Sequence, residues 1–263
     1  MLDILSEELS ACGLSLNADK TRIFTNDVAV SNAAEPTVLQ LAGCQLPVMT
    51  SQVFHKYLGK KFGGDLRNRS ECNVNYRMEC AWGKFHSQKA VLLNRSISLR
   101  LRLKLFDAIV TPTAVYGLST TAMTAQQRAR VVSTRSKMLR RIVRFSKLPH
   151  ESWEEAGRRT KQKVTAALKI FPVSDWLVVL DRSMWRLVAR LATGDSQEWP
   201  AQVLRWRPAG VRRRGRPRLR WTDAVDSFLR QEHGTNIFNV VRSQEPFPWQ
   251  RVEKHFLDFM KSD

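Results

Sequence analysis

The chain has 263 residues, 43% of them hydrophobic and eight of them Trp, so it can bury a core and lacks the composition of a disordered protein. Its net charge of +19 points to a polyanionic partner. No apolar run approaches the ~20 residues that span a bilayer, and an N-terminus carrying Asp3, Glu7 and Glu8 lacks the basic region of a signal peptide, so no membrane partner and an intracellular site, nucleus or cytoplasm rather than secretion, are expected.

Residues 1–64 carry five Lys/Arg against six Asp/Glu. Leu2, Leu5, Leu9 and Cys12 recur at helical spacing, and Gly13 follows as a C′ glycine should. Leu14-Ser15-Leu16 alternates and fits a strand. Val38 to Gly43, Gln45 to Met49 and Val53 to Phe62 read as further short strands between Gly and Pro signals. Strands with a helix across one face make an α+β layer.

Residues 65–150 carry seventeen Lys/Arg against four Asp/Glu, and the pattern turns helical. One helix is expected from Arg77 to about Asn94, with Met78, Ala81, Trp82 and Phe85 on one side. A second covers Leu99 to Val110, where Pro112 ends or kinks it. A third follows Thr124-Ala125-Gln126-Gln127, a capping-box signature. Its apolar face collects Val131, Val132, Met138, Leu139, Ile142 and Val143 at ~100° per residue. Arg130, Lys137, Arg140, Arg141, Arg144 and Lys147 fall opposite, and Arg135 lands on the apolar side. Six cations without a balancing Glu differ from a salt-bridge-laced helix surface and suit contact with phosphates, which is salt-sensitive and largely independent of sequence. A solvated helix face is the alternative.

Residues 151–263 carry twenty-one Lys/Arg against fourteen Asp/Glu. Helices are expected over Ser152 to Ile170 and Asp175 to Ala192, the latter with apolar residues at i, i+3, i+4 spacing. A basic loop from Val211 to Arg220 follows, then a short helix capped by Thr222 and a final helix after Pro246 and Pro248. Within the loop, Arg212, Arg213, Arg214, Arg216 and Arg218 surround an Arg-Gly-Arg-Pro core similar to an AT-hook, whose arginines enter a narrow A·T minor groove. A plain basic loop is the other reading. The four cysteines (Cys12, Cys44, Cys72 and Cys80) form no Cys-x-x-Cys pair and match no zinc spacing; reduced, mostly buried thiols are expected.

Several of these segments, in this order, resemble the reverse transcriptase of non-LTR (LINE-type) retrotransposons. Gly13-Leu14-Ser15-Leu16-Asn17-Ala18-Asp19-Lys20-Thr21 is similar to that family's Gly-Leu-x-x-Asn-x-x-Lys-Thr strand, and Tyr57-Leu58-Gly59 to its Tyr-Leu-Gly strand. Arg77, Met78, Ala81 and Phe85 match an Arg-Ile-x-x-Ala-x-x-x-Phe helix, with Met for Ile. Lys104, Leu105, Phe106, Val110, Pro112, Tyr116 and Gly117 match the next stretch. Leu139, Arg140, Arg141 and Ile142 match a basic helix. Gly215, Arg216, Pro217, Arg220, Trp221 and Asp223 match a terminal motif. The catalytic Tyr-x-Asp-Asp hairpin lies upstream of these motifs in the family, and no Asp-Asp pair occurs in this sequence.

The resemblance implies an α+β fold: a small antiparallel palm remnant over residues 1–64, a helical basic thumb over 65–150 and a helical C-terminal extension over 151–263. It implies a fragment of an RNA-directed DNA polymerase that binds template–primer RNA and DNA, takes no small-molecule substrate by itself and does not polymerise alone. Nucleotide transfer needs metal ions held by carboxylates; the Mg²⁺ of the full-length family enzyme has no paired ligands here, so no cofactor is expected in this chain. By resemblance, Lys20 stands where a lysine protonates the departing pyrophosphate, and Tyr57 and Gly59 lie in the strand that grips the primer end. A surface lysine at a strand end and an ordinary hairpin strand with Tyr57 and Leu58 buried are the alternatives. A non-catalytic helical nucleic-acid-binding protein is the second reading of the whole chain, and a maturase-like splicing cofactor the third.

Overall fold

A computed structural model describes residues 2–15, 17, 19–24, 38–41, 44–49, 53–63, 68–194, 197–205, 220–243 and 247–262. The chain divides into two compact units, residues 1–73 and 74–263. The fold is α+β: a small N-terminal mixed sheet followed by a long series of helices.

The first unit opens with helix α1, Leu2–Ala11. Gly13 ends it at φ +72°. Its amide donates to the Ser10 carbonyl at 3.0 Å, and that of Leu14 to the Leu9 carbonyl at 2.8 Å, which is the Schellman pattern. Leu14 and Ser15 therefore close a helix instead of forming the expected strand. The first strand comes later, at Ile23–Phe24 (β1). Strands β2, Val38–Leu41, and β3, Cys44–Met49, complete a sheet ordered β1-β3-β2. β2 runs antiparallel to β3 but β1 runs parallel to it, so the sheet is mixed rather than wholly antiparallel. Pro47 sits on the central strand, a position that ordinarily needs an N–H. It pairs with Val38 of β2, and among the described residues β1 pairs with Val48 and Met49 beyond it.

Phe54–Tyr57 (β4) and Lys60–Gly63 (β5) form a hairpin where one strand was expected. Leu58 and Gly59 have φ of +46° and +78°, the positive pair that a two-residue type I′ turn requires. The outer edge of β5 meets a side chain: Asn73 accepts from the Lys61 amide and donates to the Lys61 carbonyl, both at 2.9 Å. The primary amide thus stands in for a neighbouring strand.

Helix α2 spans Arg69–Ser87, beginning eight residues before its expected start. In the second unit, its Val74, Met78, Ala81 and Phe85 enter a core with α3 (Lys89–Leu92), α4 (Leu99–Val115) and α5 (Ala125–Ile142). Pro112 neither ends nor breaks α4, which continues to Val115. A 3₁₀ turn at Leu118–Thr120 leads to α5. α6, Trp153–Ile170, and α7, Trp176–Thr193, follow. α7 serves two cores: its first turns place Trp176 and Leu180 in the cluster just described, and Met184, Trp185 and Val188 join a second. That second core is closed by α9 (Asp223–His233), α10 (Ile237–Arg242) and α11 (Trp249–Ser262), while α8 (Trp199–Arg205) precedes them. Trp185 stacks on Phe256 at 4.7 Å between ring centroids and donates its indole N–H to the Trp249 carbonyl at 2.9 Å, so its polar tip is satisfied where the ring is buried.

Thr222 precedes α9 but makes no side-chain cap; Asp223 instead accepts from the Arg220 amide at 2.7 Å. The three cysteines whose side chains are described are less buried than expected, with Cys12 exposed and Cys72 and Cys80 half-buried. No described helix is long and apolar enough to cross a membrane.

Candidate nucleic-acid interface

Helix α5 presents the cations. Thr124 and Gln127 form the reciprocal capping box that fixes its start. Its sequence contains no Asp or Glu, so none of its cations can be balanced from within the helix. Val131, Met138, Leu139 and Ile142 are buried and hold it to the core. Val132 is 43% exposed, and the buried place expected for it belongs to Thr134, whose hydroxyl donates to the Arg130 carbonyl at 2.9 Å.

The arginines of α5 divide by partner. Arg128 makes a bidentate pair with Asp181 of α7, at 2.9 and 2.8 Å. Arg135, which broke the amphipathic pattern, reaches across the core side and donates to the Ser174 and Val173 carbonyls, each at 2.9 Å. Burial pushes its pKa down, with Asp175 and then Asp107 opposing. The same linker is held from α4: Asp107 accepts from the Ser174 amide and hydroxyl at 3.1 and 3.0 Å and from the Thr111 hydroxyl at 3.0 Å. Thr111 in turn accepts from the Trp176 indole at 2.9 Å. Arg135 is therefore part of a structural network.

Arg130, Lys137, Arg140 and Arg141 are exposed along the outer face, with Arg144 and Lys147 exposed beyond the helix end. No ion pair joins any of the six to a carboxylate among the described residues. Two are braced by aromatic rings: Arg141 lies 4.7 Å from the Trp82 ring centre and Lys147 5.4 Å from that of Trp153. Such contacts orient a cation without neutralising it.

Arg144 is not on the helix. It has φ +61°, the amide of Arg144 donates to the Arg141 carbonyl at 3.1 Å, and that of Phe145 to the Arg140 carbonyl at 2.9 Å. This is the Schellman closure seen at Gly13, built on an arginine where glycine is usual. The loop after it is pinned by Glu151, which accepts from the Leu148 amide at 3.1 Å and from Arg159 at two positions, each 2.8 Å. Arg159 holds the Glu151 carboxyl down to about 2. Phe145 and Trp153 stack at 6.2 Å within this loop, an arrangement that the helix periodicity did not contain.

The remaining sites named from sequence are dispersed. In the first unit, Lys20 is exposed in a turn closed by its own amide on the Asn17 side chain at 3.0 Å. Tyr57 is 62% exposed at the β4–β5 turn, its ring edge-on to Phe62 at 6.1 Å, and Gly59 forms the turn itself. Arg212, Arg213, Arg214, Arg216 and Arg218 lie outside the described residues, as do Gly215 and Pro217. Among the described residues, no three His, Cys, Asp or Glu side chains gather to hold a metal ion. Glu7, Glu8 and Asp19 are exposed on α1 and the following turn, and this donor set does not fit a Mg²⁺ centre.

Compared with known proteins, no family model matches the chain and no solved structure matches it. It is similar to a transposon-derived protein of Caenorhabditis elegans, 25% identical over 262 residues that cover 97% of this chain and 84% of that protein.

Proposed function

We propose that this chain is the palm-end, thumb and C-terminal part of an RNA-directed DNA polymerase of the non-LTR retrotransposon class, and that it binds template–primer nucleic acid without transferring nucleotides by itself. The observation that carries the reading is the outer face of α5: a helix free of acidic residues, seated by its apolar side, with four exposed cations on it and two more just beyond its end, Arg144 in the closing turn and Lys147 in the loop. The ordered motifs from Gly13 to Asp223 and the similarity to a transposon-derived protein support the polymerase class. Many motif positions have structural work in this chain. Met78, Ala81, Phe85, Phe106 and Val110 are core residues, and Asp223 anchors the Arg220 backbone. Such positions resist change, because core substitutions cost several kcal/mol, about 2–5 for large-to-small changes.

The role of α5 is to lay its cations along phosphates, releasing counterions, so affinity should fall steeply with salt. Changing Lys137, Arg140, Arg141 and Arg144 together to Glu is expected to abolish retention on a primer–template duplex while leaving the helical signal intact. Unchanged retention at the same salt rules the reading out. Primer extension with purified protein and Mg²⁺ separates it from a catalytically competent enzyme, and incorporation above background would contradict the non-catalytic part.

A further inference from the structure

A cleft of about 640 Å³ opens where the link between α3 and α4, the end of α5 and the face of α6 converge. Arg95, Arg141, Arg144 and Lys163 line it, and no carboxylate does. Arg95 and Lys163 are exposed and do not belong to the face of α5, so cations from three separate elements meet at one opening. The floor is apolar, formed in part by Leu99, Val143 and Ile170. Ile170 is 55% exposed.

Three helix C-termini end here, those of α3, α5 and α6, and their carbonyls would repel an anion. Arg102 covers the first two: it donates to the Ile142 carbonyl at 3.0 Å and to Leu92 at 3.5 Å, and it holds the α3–α4 link through Ile97 at 3.1 Å. Lys163, on α6 itself, and Arg144 set positive charge beside the third. Its pKa is lowered by burial first and then by the charge of Arg95, as happens when cations converge without a counterion. Arg144 adds a second cost. A non-glycine residue in the left-handed region is disfavoured, and such strain collects at functional positions. Here it sets an arginine at the rim in place of glycine.

We infer that this cleft seats a single-stranded segment of nucleic acid, its phosphates on Arg95, Arg141, Arg144 and Lys163 and its sugars and bases over Leu99, Val143 and Ile170. The inference rests on the proposed nucleic-acid binding and deepens it. A rigid duplex offers the cleft phosphates alone. A single strand can turn its bases toward the apolar floor, which here is aliphatic rather than aromatic, while its backbone follows the cations as in other single-strand grooves.

The test compares a blunt duplex with the same duplex carrying a single-stranded tail, by fluorescence anisotropy across a salt series, with inorganic phosphate as competitor. The R95A/K163A protein is the cleft variant and R130A/K137A the helix-face variant. The cleft variant should bind the tailed duplex about tenfold more weakly, with a salt slope shallower by about 1.4, yet bind the blunt duplex within twofold. The helix-face variant should weaken both. R95K should recover most of what R95A loses. Equal losses on both ligands, or none, overturn the cleft while leaving the α5 reading standing. Displacement of the tail by millimolar inorganic phosphate reduces the cleft to a small-anion site and overturns it as well. A wild-type protein that binds neither ligand overturns both readings. Neither Arg95 nor Lys163 is buried, so the melting temperature of the cleft variant should stay that of the wild type.

Discussion

The Phe145 amide reaches back across the left-handed Arg144 to the Arg140 carbonyl at 2.9 Å. This bond turns the chain off α5 and leaves an arginine at the position of the turn where glycine is favoured. The first prediction concerns R144G. Stability should rise by about 1 kcal/mol from relief of left-handed strain, reduced somewhat by the greater entropy of an unfolded glycine. Affinity for nucleic acid should fall in the same protein. Urea melts and anisotropy titrations read the two effects separately. A variant that loses stability would show that the Arg144 side chain makes a compensating contact, and the strain argument would then fail.

Arg128 and Arg135 show the opposite use of charge on the same helix. Asp181 is only 4% exposed and lies under the Arg128 guanidinium, so removing one partner leaves the other poorly solvated. D181A is expected to cost about 3 kcal/mol, seen as a lower urea midpoint. Replacing both, as R128M/D181L, should restore most of that loss, because apolar replacement of a buried pair is often close to neutral. Nucleic-acid affinity per folded molecule should not change in either variant. If the double variant is as unstable as D181A, the pair contributes more than its desolvation consumes.

Much of the helical unit was legible because it rests on local rules. The capping boxes at Thr124 and Ser152 and the N-cap at Asp175 are each written within a few residues, as is the closure at Gly13 in the first unit. Arg135 was legible only as an exception to periodicity; its partners, the Val173 and Ser174 carbonyls, lie 38 and 39 residues away, beyond any local pattern. Asn73 gave no signal, since its bonds to Lys61 exist only once β5 is placed. The Leu58-Gly59 turn escaped because leucine seldom occupies a left-handed turn position. Arg95 and Lys163 escaped for a related reason: each is one cation among many in sequence, and only the convergence of three elements sets them beside Arg141 and Arg144. The parallel pairing of β1 with β3 is likewise a property of topology that strand propensity does not carry.

The last prediction is a pH dependence. Glu151 carries two bonds from Arg159 and one from the Leu148 amide, and so holds the loop that bears Lys147 and follows Arg144. Its folded pKa, about 2, lies below the 4.5 ordinary for a glutamate carboxyl, with the Arg159 hydrogen bond as the chief cause. A depressed carboxyl stabilises the fold at every pH above its unfolded value and loses that contribution as pH falls toward its folded value. The difference in melting temperature between the wild type and E151Q should therefore be constant from pH 7 to about 4.5, then shrink steadily toward pH 2. Across the same upper range the loop should hold Lys147 over Trp153, so nucleic-acid affinity should show no step that tracks Glu151. A gap that closes between pH 7 and 5 would instead mark a titrating group other than Glu151 as the one holding this loop.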